Sequence, residues 1–492
     1  MTKQFFGRSN AGFFLGIILF IIMLLLPAPA GMEIIAWRTA AVAVLMATWW
    51  ILEAMPIAVT SLLPIVLFPI LNISPIPDTT APYANPLIFL FLGGFIIAIA
   101  MQRWNLHRRI ALNIVSYVGV KPTSIIIGFI LASAFLSMWV SNTATALMML
   151  PIAISVLQFV DKNKDKSQPV TNFEIVLVLA IAYACNIGGI ATLIGTPPNA
   201  LLAGFMLENY GVEISFARWM LVGLPLVFIM LPIMYFLLTK LVYPIKITEL
   251  PGGYSVIKNQ LNSLGNISTP ELRVAVVFTL TAALWIFRPL LANVVPGLSD
   301  AGIAIFGAMI LFIIPSGSKE QQKVLLWNDL KELPWGILIL FGGGLSLAMG
   351  ISSSGLATWI GDGVSGLGAI PLLLLIFLVI AIVVFLTEIT SNTATTAAFL
   401  PILASSAIGL GQDPMLFILP AAIAASCAFM LPVATPPNAV VYGSGKITIP
   451  QMAKAGIWLN IVVTILFSLA SYTLFAWVFG IEVGVLPDWI HN

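Results

Sequence analysis

Two short polar motifs each occur twice in this sequence, and their residue types are well suited to bind a ligand. Ser141–Thr145 reads SNTAT and returns letter for letter as Ser391–Thr395, while Thr196–Ala200 reads TPPNA and returns as Thr435–Ala439. Both pairs keep their order, and each motif interrupts an apolar stretch. Uncharged polar side chains and helix-breaking prolines in such surroundings are costly unless they bind something. The duplication therefore predicts one binding site built from two copies of the same elements.

The SNTAT motifs are expected where two short helices meet. Such a junction leaves backbone N–H and C=O groups without intrahelical partners. The start of the second helix favours an anion, and Asn142, Thr143, Asn392 and Thr393 can donate hydrogen bonds to a carboxylate. The end of the first helix presents carbonyl oxygens, which suit a hard cation such as Na⁺. The alternative is a pair of capped, packed helix ends without a ligand, which the duplication disfavours.

The TPPNA motifs predict interrupted helices. Two adjacent prolines remove two backbone donors and stop an ordinary helix. Segments 173–209 and 415–443 are therefore predicted to be two half-helices each, joined by an unwound linker. Gly195 and Ala434, directly before the motifs, let backbone carbonyls approach a bound ion closely. A proline kink without a ligand is the alternative here.

The composition predicts an integral membrane protein. Hydrophobic residues make up 60% of the chain and charged residues 8%, against about 25% charged in soluble domains. The net charge of +2, without a basic stripe, gives no reason to expect a nucleic-acid partner. Two cysteines and two histidines (Cys185, Cys427, His107 and His491) support neither a disulfide framework nor a metal cluster. We expect neither an enzyme nor an organic cofactor.

The apolar segments predict an all-α polytopic fold. Eleven spans are expected near 12–27, 34–50, 54–73, 86–102, 173–209, 217–243, 271–290, 299–315, 333–350, 415–443 and 455–480. Blocks 123–160 and 369–410 are each two short apolar runs meeting at an SNTAT motif, which predicts two re-entrant hairpins.

The loop charges test this topology. If both blocks are hairpins, most loop lysines and arginines lie on one side of the membrane. They are Lys3, Arg8, Arg103, Arg108, Arg109, Lys121, Lys162, Lys164, Lys166, Lys240, Lys246, Lys258, Lys319, Lys323, Lys331, Lys446 and Lys454. Only Arg38, Arg218 and Arg288 clearly fall on the other side. By the positive-inside rule the crowded side is cytoplasmic. We expect a bacterial inner-membrane protein with a cytoplasmic N-terminus and an external C-terminus. The arginine-rich stretch with Trp104 is interpreted as an interfacial helix.

The internal repeat extends beyond the motifs. Gly93–Gly94 and Gly343–Gly344 share the offset of 250 residues that relates the SNTAT motifs, whereas the TPPNA motifs are 239 residues apart. The first hairpin opens to the cytoplasm and the second to the outside, which predicts inverted repeats at 1–250 and 251–492. Inverted repeats with broken helices and a site at mid-membrane depth are typical of secondary transporters.

Paired SNT motifs on opposed hairpins, each followed by TPPN in an unwound helix, resemble the divalent anion:sodium symporter family over essentially the whole chain. The resemblance implies substrate-binding residues at Asn142, Thr143, Thr196, Ser391, Asn392, Thr393, Thr435 and Pro436. It implies Na⁺ ligands in two sets, Ser137, Ser141, Asn142 and the Gly195 carbonyl, then Thr387, Thr390, Asn392 and the Ala434 carbonyl. It also implies a homodimer and an elevator-like movement against scaffold segments 12–73 and 217–315.

The residues themselves favour symport. No lysine or arginine occurs in 131–153 or 383–403, and a dianion without a positive partner is costly in a low dielectric. Bound cations can supply that charge. Together with the family resemblance, which implies the substrate class, this leads us to expect Na⁺-driven uptake of a C4-dicarboxylate such as succinate, malate or fumarate. A Na⁺-independent dicarboxylate or 2-oxoglutarate exchanger, a citrate or sulfate carrier, and, from another class, an ion channel are the alternatives.

Two acidic residues remain to be placed. Glu388 lies between Thr387 and the second SNTAT motif, and its counterpart in the first half is Met138. A carboxylate inside a membrane segment is a functional candidate. A buried structural pairing, a proton-linked role and direct ion ligation all stay open for it. Glu53 is expected to cap the third span.

Overall fold

A computed structural model describes residues 2–119, 121–163, 171–245, 247, 253–318, 322–364, 366 and 370–490. The boundary predicted between the two halves, at 250 and 251, lies outside the described residues. Among the loop cations used for the topology, Lys164, Lys166, Lys246 and Lys319 also lie outside them.

Helices make up almost all the regular structure of the described residues, as predicted. They are α1 Thr2–Leu25, α2 Ile34–Ile51, α3 Ile57–Thr60, α4 Leu63–Ile70, α5 Ile76–Thr80, α6 Pro86–Arg103, α7 Leu106–Val118, α8 Pro122–Ser137, α9 Asn142–Asn163, α10 Thr171–Gly188, α11 Pro197–Tyr210, α12 Phe216–Phe236, α13 Gly253–Ser263, α14 Thr269–Leu291, α15 Asp300–Ile313, α16 Trp335–Ser353, α17 Leu356–Val364, α18 Leu372–Thr387, α19 Asn392–Gly409, α20 Met415–Ala425, α21 Pro436–Gly443, α22 Ile449–Ala470 and α23 Ala476–Phe479. Short π-helical segments continue α12 and α22.

Eight helical stretches in the described part of the chain are long and apolar enough to cross a membrane. They are Ile34–Ile51, Ile76–Arg103, Asn142–Val160, Thr171–Ala191, Phe216–Val242, Thr269–Leu291, Trp335–Ser353 and Ile449–Phe479. Shorter apolar helices, α8 and α18 among them, accompany these stretches. This confirms the predicted all-α fold with several apolar helices long enough to span a membrane, while the eleven spans and the two hairpins stay predictions.

The predicted span 54–73 is not one helix. It consists of α3 and α4, separated at Ser61 and Leu62. Pro64 has no N–H to donate to the carbonyl of Thr60, so the hydrogen-bond ladder is interrupted there. The indole of Trp50 contacts the turn and donates to Ser61 Oγ at 3.2 Å.

Both SNTAT motifs lie at helix breaks, as predicted. Helix α8 ends at Ser137 and α9 begins at Asn142, and in the second half α18 ends at Thr387 and α19 begins at Asn392. The two helix pairs therefore break at equivalent positions of the repeat.

The glycine pairs of the repeat mark close helix crossings. A Cβ on Gly93 of α6 would lie 2.6 Å from the Cβ of Ala304 on α15. A Cβ on Gly343 of α16 would likewise lie 2.6 Å from the Cβ of Ser61, directly after α3. Both distances are shorter than carbon atoms tolerate, so glycine is required at both crossings. Each half thus uses the same device to bring one long helix against its neighbour.

The amphipathic helix predicted near Trp104 is α7. Arg109 on this helix donates to both carboxylate oxygens of Glu271, at 2.5 and 3.1 Å, and to the backbone oxygen of Gly265 at 2.9 Å. The carboxylate and the loop before α14 thus engage this guanidinium. Arg109 fastens α7 to the N-terminus of α14.

Candidate functional site

The two pairs of motifs meet at one cavity of about 530 Å³. All eight residues predicted to bind substrate line it, namely Asn142, Thr143, Thr196, Ser391, Asn392, Thr393, Thr435 and Pro436. The cavity arises because the breaks after α8, α10, α18 and α20 lie side by side. Helix starts and exposed backbone groups from both halves of the chain therefore face the same space.

Part of the cavity wall is apolar. Ile57, Phe91, Phe95 and Ile337, from α3, α6 and α16, form it. Among the described residues that line the cavity, Glu53 alone carries a charge. The polar wall can therefore donate hydrogen bonds to an anion but supplies it with no side-chain positive charge.

The prediction that Glu53 caps the third span is wrong. Pro56 precedes α3, and no side chain caps this helix. Glu53 instead adopts a left-handed conformation, with φ of 47°, in the turn after α2. This conformation is uncommon for residues other than glycine, and it places Glu53 at the cavity.

The first predicted cation site is a cluster of oxygens beside the cavity. The buried Ser137 hydroxyl donates to Asn142 Oδ1. A Cβ on Gly189 would lie 2.8 Å from Asn142 Oδ1 and 3.2 Å from the Gly195 oxygen. A Cβ on Gly195 would overlap the Gly189 oxygen. Asn142 and Gly195 therefore lie together as predicted, while Ser141 accepts a hydrogen bond from Ala144 N at 3.3 Å.

The second cluster repeats this arrangement. Thr387 Oγ1 lies 2.6 Å from Asn392 Oδ1 and 2.8 Å from the Ala425 oxygen. A hydroxyl has one proton, so it satisfies only one of these two acceptors at a time. Three oxygens that approach so closely with one proton between them are well placed to share a cation.

The other predicted ligands of the second cation have different partners. Thr390 Oγ1 lies 2.7 Å from Thr395 Oγ1 and donates to the Leu386 oxygen at 2.8 Å. Ala434 lines the cavity, and its N–H donates to the Leu431 oxygen at 3.2 Å. The structure thus brings Thr387 and Asn392 together and adds the Ala425 carbonyl. Thr390 instead forms hydrogen bonds with Leu386 and Thr395.

The asparagines of the TPPNA motifs hold the linkers. Asn199 Nδ2 donates to the oxygens of Gly189 and Thr192, and Asn438 Nδ2 donates to those of Ala428 and Leu431. Both asparagines are fully buried. Neither asparagine was assigned a role from the sequence, although both belong to the duplicated TPPNA motif.

A third asparagine joins the two halves. Asn186 of α10 donates from Nδ2 to the Ala428 oxygen and to Thr435 Oγ1, both at 3.1 Å, and lies 3.3 Å from Asn438 Oδ1. At the TPPNA offset its counterpart is Ala425, so no repeated letter pointed to it. Asn186 binds the linker of the second half from a helix of the first.

Several donors along the polar wall stay available. The amide nitrogens of Asn142 and Asn392 and the hydroxyls of Thr143 and Thr393 make no hydrogen bond with another described residue. The oxygens of the two asparagines face the hydroxyls of Ser137 and Thr387. Each amide can therefore serve a cation with its oxygen and an anion with its nitrogen.

Comparison with known proteins identifies the family of the chain. Residues 8–481 match the family model described as the sodium:sulfate symporter transmembrane region. The chain is 45% identical over 489 residues to the sodium-dependent dicarboxylate transporter SdcS of Staphylococcus aureus strain USA300, covering 98% of this chain and 94% of that protein. The SdcS of strain MRSA252 is 46% identical with the same coverage.

Two solved transporters share the fold at low sequence identity. The YdaH transporter of Alcanivorax borkumensis superimposes with a TM-score of 0.52 at 13% identity, covering 97% of this chain and 98% of that one. MtrF of Neisseria gonorrhoeae superimposes with a TM-score of 0.56 at 14% identity, covering 96% of each chain. The family model and the relatives together span nearly the whole sequence, and the chain belongs to the divalent anion:sodium symporter family of integral membrane transporters.

Proposed function

We propose that this protein couples Na⁺ entry to the uptake of a C4-dicarboxylate, such as succinate, malate or fumarate, across the cytoplasmic membrane. The observation that carries the proposal is the pair of oxygen clusters at Ser137 and Thr387 beside a cavity that lysine and arginine do not line. The dicarboxylate named for the Staphylococcus aureus relatives supports the substrate class.

The charge on the substrate sets the order of binding. Hydrogen-bond donors alone do not offset the cost of moving a dianion out of water. One Na⁺ at each oxygen cluster supplies two positive charges, which balance the two negative charges of the substrate. The ions therefore bind first, and the anion follows. A further cation would carry net charge, worth about 2.3 kcal/mol for each 100 mV.

The duplicated donors favour a substrate with two carboxylates. Asn142 and Thr143 contribute one amide and one hydroxyl to the cavity lining, and Asn392 and Thr393 contribute a second amide and hydroxyl. Each set suits one carboxylate. A compact anion such as sulfate would engage the two sets less well.

The contrast between the cavity walls supports an elevator movement. The polar wall comes from the two helix pairs and the broken helices, which we assign to a transport domain with re-entrant hairpins at 123–160 and 369–410. The scaffold segments 12–73 and 217–315, which we assign to the interface of a homodimer, contribute Ile57 to the apolar part of the lining. An apolar surface offers no hydrogen bonds to break as the transport domain slides past it.

The deciding experiment is labelled succinate uptake into proteoliposomes. We expect uptake with an inward Na⁺ gradient and little uptake when K⁺ or choline replaces Na⁺. Unlabelled malate and fumarate should compete, and citrate and sulfate should compete poorly. Uptake that ignores Na⁺ and requires internal dicarboxylate would establish an exchanger instead. Current without saturable uptake would establish a channel.

A further inference from the structure

Glu388 is a buried carboxylate whose hydrogen-bond partners are all donors. Its side chain accepts from the backbone N–H of Phe429 at 2.7 Å, of Met430 at 3.0 Å and of Leu431 at 3.1 Å. Asn460 Nδ2 of α22 donates to it at 2.8 Å. The three backbone N–H groups can only donate, and they engage both carboxylate oxygens. The geometry fits the ionised form.

The three backbone donors belong to the linker between α20 and α21. This linker forms hydrogen bonds on two sides. Its N–H groups at 429–431 face Glu388, while the oxygens of Ala428 and Leu431 accept from Asn438. Glu388 also follows Thr387, whose hydroxyl contacts the Ala425 oxygen at the start of the linker. Two adjacent side chains thus fix the linker beside the second oxygen cluster.

In the first half, a different hydrogen bond holds the linker. Met138 stands at the position of Glu388, 250 residues earlier, and its backbone oxygen accepts from Thr192 Oγ1 at 2.6 Å. Thr192 corresponds to Leu431 at the TPPNA offset of 239 residues. A neutral hydroxyl–carbonyl bond in one repeat is replaced by a charged group in the other. The two oxygen clusters therefore lie in different electrostatic surroundings.

We propose that Glu388 is a positioning residue for the second cation site. It fixes the linker through the N–H groups of residues 429–431 and adds a fixed negative charge next to Thr387. The second site consequently binds Na⁺ more tightly than the first and is filled before it. This inference rests on the proposed Na⁺ coupling.

The test measures Na⁺ binding without substrate, as the Na⁺ concentration that half-saturates thermal stabilisation of the purified protein. Glu388→Gln removes the charge and keeps an acceptor for part of the contacts. We expect its half-saturating Na⁺ concentration to rise tenfold or more. Glu208→Gln is the matched control, because Glu208 is a carboxylate that accepts from Asn85 Nδ2 at 2.9 Å outside the cavity lining.

Double variants separate a role at the second site from a general structural role. Glu388→Gln should add little to Thr387→Ala, because both act on the same site, and should add clearly more to Ser137→Ala. Asn460→Ala, which keeps the charge and removes one donor, should give a smaller shift with the same pattern. Asn460→Ala also replaces Glu388→Gln in this test if that variant fails to fold.

An unchanged half-saturation in Glu388→Gln, or equal additivity with both single variants, would overturn the inference. If the wild-type protein shows no Na⁺-dependent stabilisation, the proposed function itself fails and this inference fails with it. The wild-type titration therefore tells the two failures apart.

Discussion

Asn199 and Asn438 make the same pair of hydrogen bonds in the two halves of the chain. Asn199 Nδ2 lies 3.0 Å from the Gly189 oxygen and 2.7 Å from the Thr192 oxygen, and Asn438 Nδ2 lies 3.1 Å from each of the oxygens of Ala428 and Leu431. Each amide bridges carbonyls three residues apart, where a helix would have paired them internally. The motif asparagines therefore replace the helix ladder across both linkers.

Replacing either asparagine should loosen the linker beside one cation site. Asn199→Ala and Asn438→Ala each leave two buried carbonyls without this donor, at a cost of about 1–3 kcal/mol per group. We expect the half-saturating Na⁺ concentration for succinate uptake to rise about tenfold, the equivalent of 1.4 kcal/mol. Asn209→Ala is the matched control, since that amide bonds to the Phe205 oxygen within α11. Equal values for Asn199→Ala and Asn209→Ala would refute the assignment.

The hydroxyls of Ser137 and Thr387 should be needed for Na⁺ dependence. Ser137→Ala and Thr387→Ala each remove one oxygen from a cluster, and the loss of a bond to a charged group costs about 1.5–3 kcal/mol. The half-saturating Na⁺ concentration should therefore rise about 10- to 100-fold. The hydroxyl of Thr473 bonds within α22 and its extension, so Thr473→Ala should behave as the wild type. Unchanged Na⁺ dependence in both site variants would remove these residues from the ion sites.

Adding a methyl group at Gly189 should block the first cation site. A Cβ there would lie 2.8 Å from Asn142 Oδ1, within the space between the cluster oxygens. We expect Gly189→Ala to abolish Na⁺-dependent uptake while still reaching the membrane. Gly363 of α17 has nothing within 4 Å of the equivalent position, so Gly363→Ala should transport normally. Uptake by Gly189→Ala at the wild-type rate would contradict this reading of the cluster.

Asp413 should make stability depend on pH. It lies between α19 and α20, and burial raises its pKa to about 6, against about 3.9 in an unfolded chain. The folded protein thus keeps a proton that the unfolded chain has released between about pH 4 and about pH 6. Its contribution to the free energy of unfolding falls as pH rises through this window.

Asp413→Asn should flatten that part of the pH profile. Asparagine retains an acceptor for the N–H of Met415, which Asp413 Oδ1 accepts at 2.8 Å. The melting temperature of wild type minus that of the variant should decrease between about pH 4 and about pH 7. Asp488→Asn serves as the control for the loss of one negative charge. A constant difference across the range would show that Asp413 is not responsible.

The repeated motifs made much of the site predictable. Proline and asparagine at fixed positions dictate where a helix must stop, and their duplication indicated that the stops face one another. The helix ends at Ser137 and Thr387, and the cavity between the SNTAT and TPPNA motifs, agree with that reasoning. Local backbone chemistry was sufficient for this part.

The remaining features depend on tertiary packing. The Ala425 carbonyl is a backbone group, and the alanine side chain gives no sign of its contact with Thr387. Asn186 has no repeated counterpart. Glu53 lies at the cavity because its backbone adopts a left-handed conformation after α2. No glycine or proline at that position indicates this conformation in the sequence.

The hydrogen bonds of Asn186 couple the binding of the two Na⁺ ions. A single amide on α10 supports Ala428, Thr435 and Asn438, so ordering the linker of one half also orders the linker of the other. Filling one cluster then lowers the entropy still to be lost at the second. Na⁺ should consequently bind with a Hill coefficient above one, because an ion at the second site makes the first site easier to fill.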